Sequence, residues 1–307
     1  MSAPPLPAAP LQPSAAERAA ALRVNRRGIQ LMIGAMACFI ANDAIVKLVS
    51  ESLSAGQLIF IRGAMATLLV IAFARATGAE LRVPVAARRP VALRAGIDAL
   101  ATFLYLVSLF NMPIASATAI NMAAPLFIVA LAGPLLGERV DARRWLAVAA
   151  GFGGVLLVIQ PGTDGFDLWA LLCLAATLLH ALRDFATRRI PAGVSSIAIT
   201  LATAGSVTLL AALLSALQGW QPVGARELGL LAAAAVFLAC GYHLVIRSTR
   251  EGEFSVIAPF RYSGLLLALL VGWVVWGDLP DLLGWSGIAL LMLAGLYLIH
   301  CERRRAR

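Results

Sequence analysis

The sequence has few charged residues for its length. Asp, Glu, Lys and Arg make up 13% of its 307 residues, while apolar residues make up 61%, and the mean hydropathy is +0.86. A soluble globular domain has about a quarter of its residues charged. The composition therefore excludes a soluble domain and predicts a protein of the lipid bilayer.

Cysteine is also scarce, and the usual chemical motifs are missing. Cys38, Cys173, Cys240 and Cys301 fall in separate segments without a CxxC pair, which favours neither a disulfide framework nor a metal site. The GFGG stretch at 151–154 lies inside an apolar run with no strand before it, so it is not a nucleotide loop. Neither a P-loop nor a catalytic triad is visible, and we expect no cofactor, no metal and no enzymatic activity.

Ten apolar runs are long enough to cross a membrane as helices, which requires about 17–25 residues. We number them spans 1 to 10, and the predicted ranges are 29–49, 56–75, 95–112, 115–136, 145–160, 167–187, 195–217, 227–247, 255–276 and 282–300. The stretch before them is rich in Ala and Pro and has no signal-peptide pattern. We predict a disordered cytoplasmic tail over 1–28 and a basic cytoplasmic tail over 301–307.

Arginine clusters account for the net charge of +9. They lie between apolar runs and not on one face with interleaved aromatics, so nucleic acid is not an expected partner. With ten antiparallel spans, nearly all loop arginines come to the side of the two termini, and the other side receives Arg226. The positive-inside rule then predicts a multi-pass protein of the cytoplasmic membrane with both termini cytoplasmic.

A nine-residue pattern occurs twice. GERVDARRW at 137–145 and GDLPDLLGW at 277–285 place Gly, an acid, Asp and Trp at the same spacing, each between two apolar runs. Short loops favour Gly and acids, and Trp is common at membrane interfaces, so the match alone has a second explanation.

A second pair of segments repeats at nearly the same offset. Asp43 and Lys47 correspond to Asp184 and Arg188, which indicates two halves built on one plan. The two predicted repeats are 29–160 and 167–300. Five spans in each half would insert the second half upside down, and inverted repeats are typical of transporters.

Charged residues inside the spans are the first candidates for function. Asp43 on span 1 lies about 21 Å from the cytoplasmic end at 1.5 Å per residue, and Arg62 on span 2 and Asn121 on span 4 reach a similar depth. We expect Asp43 and Arg62 to form an outer polar lock. The alternative is a local Asp43–Lys47 pair at i,i+4, with Lys47 reaching outward.

The second half offers a counterpart near the cytoplasmic end. Asp184 lies late on span 6 and Arg261 early on span 9, where they form a predicted inner lock, and Arg261 occupies the position of Asn121 in the other half. Asp184 has an alternative partner in Arg188.

Between the two locks, the sequence predicts a polar site near the midplane. Tyr105 and the approximate repeat partner Tyr242 supply rings and hydroxyls, and His180 is a weaker candidate for proton relay. Pro125 and Pro259 interrupt spans 4 and 9, which suits either a cavity wall or a simple packing kink.

Several segments together resemble the EamA-type transporters of the drug/metabolite transporter superfamily. The first half is similar through NDAIVKLV, QLIFIRG, ASATAINMAAPLF, LLGERVDARRW and GFGGVLLVIQPG. The second half is similar through RDFATRR, IAPFRYSG and WGDLPDLLGWSGIALLMLAGLYLI. The resemblance covers about 29–300, which includes both halves.

The resemblance implies an all-α fold of ten helices in two inverted five-helix units, with a central cavity and alternating access. It implies that the cavity is lined by Asn42, Asp43, Tyr105, Asn121, His180, Tyr242, Arg261 and Tyr262. Arg62 falls outside that lining and is expected to support the site. Similar members take up S-adenosylmethionine or riboflavin, and others are uncharacterised exporters.

We therefore predict a secondary transporter of a small polar organic metabolite, amino-acid-like, nucleoside-like or vitamin-like and carboxylate-bearing or zwitterionic, with protons as the candidate coupling ion. The predicted substrate-binding residues are Asn42, Tyr105, Asn121, Tyr242, Arg261 and Tyr262. The predicted gating and proton-coupling residues are Asp43, Arg62, His180 and Asp184. The alternatives are a broad-specificity exporter of amphipathic compounds and, more distantly, a membrane enzyme or scaffold.

Overall fold

The computed structural model describes residues 15–137, 140–160, 168–191, 193–251 and 254–305. Every regular element in these ranges is helical. In chain order the helices are Ala15–Val49, Ala55–Thr77, Val85–Asn111, the pair Ile114–Asn121 and Ala124–Leu136, Ala142–Ile159, Leu168–Arg188, Ser196–Gln218, Ala225–Glu251, the group Phe254–Ile257, Ala258–Tyr262 and Ser263–Trp276, and Leu282–Arg305. These are spans 1 to 10.

Ten helical stretches within the described residues are long and apolar enough to cross a membrane, which confirms the predicted all-α polytopic fold. The first helix begins at Ala15, earlier than the predicted start at residue 29, because an alanine-rich segment favours continuation of a helix. Part of the predicted N-terminal tail is therefore helical. Residues 1–14 and 306–307 lie outside the described residues.

The two halves pack on each other in symmetric pairs. Span 1 packs on span 8, and its repeat counterpart, span 6, packs on span 3. Spans 2 and 7 pack on each other, as do spans 5 and 10. Each of these last pairs joins a span to its own repeat counterpart. This arrangement is that of two inverted five-span repeats.

The glycines of the repeated nine-residue pattern end spans 4 and 9. Gly137 and Gly277 adopt left-handed φ angles of 68° and 73°, and their amides donate to carbonyls in the preceding helical turn. Glycine takes this conformation without the penalty that a Cβ imposes. Glu138 and Arg139 of the first copy lie outside the described residues.

The aspartates of the same pattern begin spans 5 and 10. Asp141 Oδ1 accepts from the Arg144 amide at 3.2 Å, and Asp281 Oδ1 accepts from the Gly284 amide at 2.8 Å. Each carboxylate satisfies a backbone donor that the first helical turn leaves open. The repeated pattern therefore encodes the same type of connection between two helices, once in each half.

Glycine allows spans 5 and 10 to approach closely. A Cβ built on Gly154 would lie 2.7 Å from the Gly287 carbonyl oxygen, and one built on Gly287 would lie 2.6 Å from the Gly154 carbonyl oxygen. Small residues at such crossings are typical of helix packing in membranes. The GFGG stretch therefore serves packing.

Spans 4 and 9 are broken at equivalent places. Span 4 is interrupted between Asn121 and Ala124, just before Pro125. Span 9 is interrupted by a 3-10 turn, Ala258–Tyr262, which contains Pro259 and Arg261 and precedes the helix Ser263–Trp276. Broken spans expose helix ends and free carbonyls inside a membrane protein, where transporters place their binding sites.

Candidate functional site

The Asn42 amide lies at the centre of a buried polar contact between spans 1 and 2. Its Oδ1 accepts from Arg62 Nη1 at 3.1 Å, and its Nδ2 donates to Asp43 Oδ1 at 2.8 Å. Asn42 is 2% exposed and Arg62 is 4% exposed. The predicted Asp43–Arg62 lock therefore appears as an indirect contact, in which the amide joins the acid to the base.

Three further residues extend this contact across spans 3, 6 and 4. The Tyr105 hydroxyl donates to Asp43 Oδ2 at 3.0 Å. The Tyr105 and His180 rings lie 6.3 Å apart, and His180 Nδ1 lies 3.0 Å from Asn121 Oδ1. We call the six residues the central network. Its members are Arg62, Asn42, Asp43, Tyr105, His180 and Asn121.

The network combines a buried arginine with accessible polar groups. Asp43, His180 and Asn121 are partly exposed, whereas Asn42, Arg62 and Tyr105 are buried. Buried ions inside a membrane must be compensated by partners, and here the hydrogen bonds of Asn42 and Tyr105 supply that compensation. The accessible amide, imidazole and carboxylate can exchange hydrogen bonds with a polar ligand.

A second group of charges connects spans 3 and 6. Arg183 Nη1 contacts Asp98 Oδ1 at 2.9 Å, and Arg183 Nη2 contacts Asp184 Oδ1 at 2.9 Å. Arg94 Nη1 lies 3.7 Å from Asp98 Oδ2. We call Arg94, Asp98, Arg183 and Asp184 the charge cluster. Asp184 thus pairs with its neighbour Arg183. The predicted pair of Asp184 with Arg261 is not formed in the described part of the chain, and neither is the alternative pair with Arg188.

Arg94 attaches span 3 to two spans of the second half. Its Nε donates to Thr187 Oγ1 on span 6 at 3.1 Å, and its Nη1 donates to Thr203 Oγ1 on span 7. Because these contacts cross from one repeat to the other, the charge cluster holds the two halves together.

Arg261 stands apart from both groups. Its side chain is exposed, although it lies in a membrane-spanning stretch. Within the described part of the chain it makes no hydrogen bond or ion pair. The charge of Asp184 attracts the Arg261 guanidinium, and the charge of Arg183 repels it. Arg261 therefore offers a guanidinium that has no ion pair among the described residues and lies in a membrane-spanning stretch.

Tyr242 lies between the central network and the charge cluster. It is within electrostatic range of Arg62 in the first and of Asp98 and Arg183 in the second. Its ring contacts Phe39 edge to face, with centroids 5.3 Å apart, and half of the residue is exposed. Tyr242 thus lies near charged groups of both sets while half of its surface stays uncovered.

Tyr262 does not join this group. It is buried, and its hydroxyl points at Gly295 of span 10, where even a Cβ would collide with it. The hydroxyl has no hydrogen-bond partner among the described residues. This placement is that of a packing residue at the contact of spans 9 and 10.

Sequence reasoning missed the charge cluster. Of its four residues, only Asp184 is a candidate predicted from the sequence. The i,i+4 spacing of Arg94 and Asp98 inside span 3 is the signal that pointed to a pair. The suggested Asp43–Lys47 pair does not form, because the Lys47 ammonium binds the carbonyls of Leu109 and Met112.

A bundle of ten apolar spans, made of two inverted halves with ionisable groups turned inward, defines a polytopic membrane transport protein. The chain belongs to the EamA-like transporter family, whose model matches residues 26–160 and 167–301. Its members are transporters and not enzymes, which confirms the prediction that the chain is a transporter and not an enzyme.

Curated relatives are similar over much of the chain. The pseudopaline exporter of Pseudomonas aeruginosa is 27% identical over 286 residues, 92% of this chain and 99% of that protein. The riboflavin transporter of Rhizobium johnstonii is 30% identical over 70% of this chain and 71% of that protein. The S-adenosylmethionine uptake transporter of Rickettsia prowazekii is 24% identical over 62% and 65%.

A solved crystal structure shares the fold. It is superimposed with a TM-score of 0.58 at 20% sequence identity, covering 94% of this chain and 99% of that one.

Proposed function

We propose that this protein is a secondary transporter that carries a small polar organic metabolite with an anionic group, a carboxylate-bearing or zwitterionic compound, across the cytoplasmic membrane by alternating access. The observation that carries the proposal is Arg261, an exposed guanidinium without an ion pair inside a membrane-spanning stretch. Relatives named as transporters of pseudopaline, riboflavin and S-adenosylmethionine support a small organic substrate.

The charge balance of the interior supports an anionic group on the substrate. The central network contains one arginine and one aspartate, and the charge cluster contains two of each. Both groups are therefore balanced, and Arg261 adds one further positive charge. A lone charge in a membrane interior is costly, so an anionic ligand that binds there is stabilised by charge and by the forked geometry of the guanidinium.

The remaining contacts support the roles that we propose for the other polar groups. Asn121 and His180 present accessible polar atoms beside the break in span 4, where they hydrogen-bond the substrate. Tyr242 offers an exposed ring face for stacking against a planar group. Asp43, held by Asn42 and Tyr105, is the group that takes up and releases the coupling proton.

The test is transport of a panel of labelled metabolites in proteoliposomes, with and without an imposed pH gradient. Wild type is expected to move an anionic or zwitterionic compound against its concentration gradient when the pH gradient is present. Arg261→Ala is expected to lower kcat/KM by at least about tenfold, because a charge-assisted contact is lost, while Arg261→Lys retains part of it.

The matched control is Arg226→Ala, which removes an exposed arginine at the end of span 8 and is expected to leave transport unchanged. Movement of many hydrophobic compounds, unaffected by Arg261→Ala, would overturn the Arg261 assignment and favour a broad-specificity exporter.

A further inference from the structure

Lys47, the single lysine of the chain, lies near the end of span 1 and contacts the ends of two other spans. Its ammonium donates to the Leu109 carbonyl at 2.9 Å and to the Met112 carbonyl at 2.7 Å. These carbonyls belong to the last turn of span 3 and to its C-cap, where a helix lacks internal donors. Lys47 on span 1 therefore holds the end of span 3.

The same ammonium also reaches span 9. It lies 5.6 Å from the ring centre of Trp276, the last residue of that span, in a cation–π contact. The charges of Asp278 and Glu51 attract it from nearby. The Lys47 side chain on span 1 thus contacts the ends of both span 3 and span 9, and Lys47 is only 9% exposed. We call this end of the bundle the Lys47 end and the opposite one the Arg261 end.

Comparison of repeat partners shows that the two ends differ. Tyr105 of the first half is 8% exposed, whereas Tyr242 of the second half is 50% exposed. Asn121 is partly exposed and its counterpart Arg261 is exposed. Equivalent positions of two inverted halves would be equally covered if both ends were alike. This difference in exposure favours a bundle that is closed at the Lys47 end and open at the Arg261 end.

We infer that Lys47 is the latch of the closed end: its contacts form while the site is open to the Arg261 end and break when the site opens to the other side. Two of the partners are neutral carbonyls, which hold an ammonium less tightly than a carboxylate does, so the latch is reversible. The inference rests on the proposed alternating access. Lys47 acts here as a positioning residue and does not touch the substrate.

The experiment measures from which side a cysteine in the site is labelled. The four native cysteines are replaced by alanine or serine, and Asn121→Cys provides the reporter beside the break in span 4. A membrane-impermeant thiol reagent is applied to right-side-out and to inside-out vesicles. With Lys47 present, the reporter is expected to react mainly from one side, the Arg261 end.

Lys47→Met removes the donors and the charge while keeping a long side chain. It is expected to raise labelling from the opposite side by about tenfold, as loss of hydrogen bonds to a charged group predicts. Lys47→Arg keeps donors and charge and should restore much of the one-sided labelling. Trp276→Leu, which removes only the ring contact, should shift the ratio in the same direction by a smaller factor.

An unchanged labelling ratio in Lys47→Met, in a variant that stays monodisperse in detergent, overturns the latch. Equal labelling from both sides already with Lys47 present contradicts the closed end itself. Failure of the proposed function is distinguished separately, because it appears as absent transport in the unmodified protein.

Discussion

At the scale of single residues, Asn42 is the group whose loss we expect to cost most. Asn42→Leu leaves the buried Arg62 without its amide acceptor and removes one of the two side-chain donors to Asp43, the other being the Tyr105 hydroxyl. A hydrogen bond to a charged group contributes about 1.5–3 kcal/mol, and Asn42 makes two of them. The free energy of unfolding should fall by about 3 kcal/mol, measured by denaturant titration in mixed micelles.

The control for this change is Asn111→Leu, because the Asn111 amide donates to the Val107 carbonyl at an exposed helix end. It should lower the free energy of unfolding by less than about 1 kcal/mol. Equal losses in the two variants would contradict a central role for Asn42.

Residue spacing predicted that Asp43 and Arg62 lie at one depth, and the structure brings them within one network. It did not predict the Asn42 bridge, because consecutive helical residues point about 100° apart and sequence alone does not tell which of them faces span 2. Their similar depth in the membrane also suggested that Asp184 pairs with Arg261. Instead, the Asp184 carboxylate forms an ion pair with the adjacent Arg183.

At the scale of helices, the contact of spans 5 and 10 depends on two glycines. A side chain at Gly154 meets backbone, the Gly287 carbonyl at 2.7 Å and the Leu291 amide at 2.9 Å. Gly154→Val is therefore expected to separate the spans and lower the free energy of unfolding by about 2 kcal/mol or more. The same micelle titration measures it.

Gly153→Val is the matched control one position away. Its nearest neighbour is a flexible methyl group of Leu290 at 3.9 Å, and the change carries the same loss of helix propensity. Comparable destabilisation in both variants would show that propensity, and not the close approach, determines the effect.

The sequence predicted the interruptions of the helices and the connections between them. Pro125 and Pro259 marked the interruptions of spans 4 and 9, because proline cannot continue a helical hydrogen-bond ladder. The start of span 1 was not readable, since alanine-rich sequence continues a helix beyond the apolar run that predicts the membrane segment.

At the scale of the whole molecule, the arginine distribution predicts the orientation. Two cysteine variants test this orientation. Pro222→Cys places a thiol in the loop between spans 7 and 8, and Gly193→Cys places one between spans 6 and 7. In a cysteine-free chain, an impermeant thiol reagent applied to intact cells should label position 222 and not position 193. The reverse pattern would invert the predicted topology and leave the fold intact.

Spans 2 and 7, and spans 5 and 10, each contact their own counterpart in the other half. Two copies of a single five-span chain, placed antiparallel about a two-fold axis, would make the same contacts. In such a homodimer every side chain occurs twice, so a guanidinium at the position of Arg261 would always be accompanied by a second one at the position of Asn121. Two halves in one chain are free of that constraint, and this bundle has Arg261 in one half and the neutral Asn121 in the other.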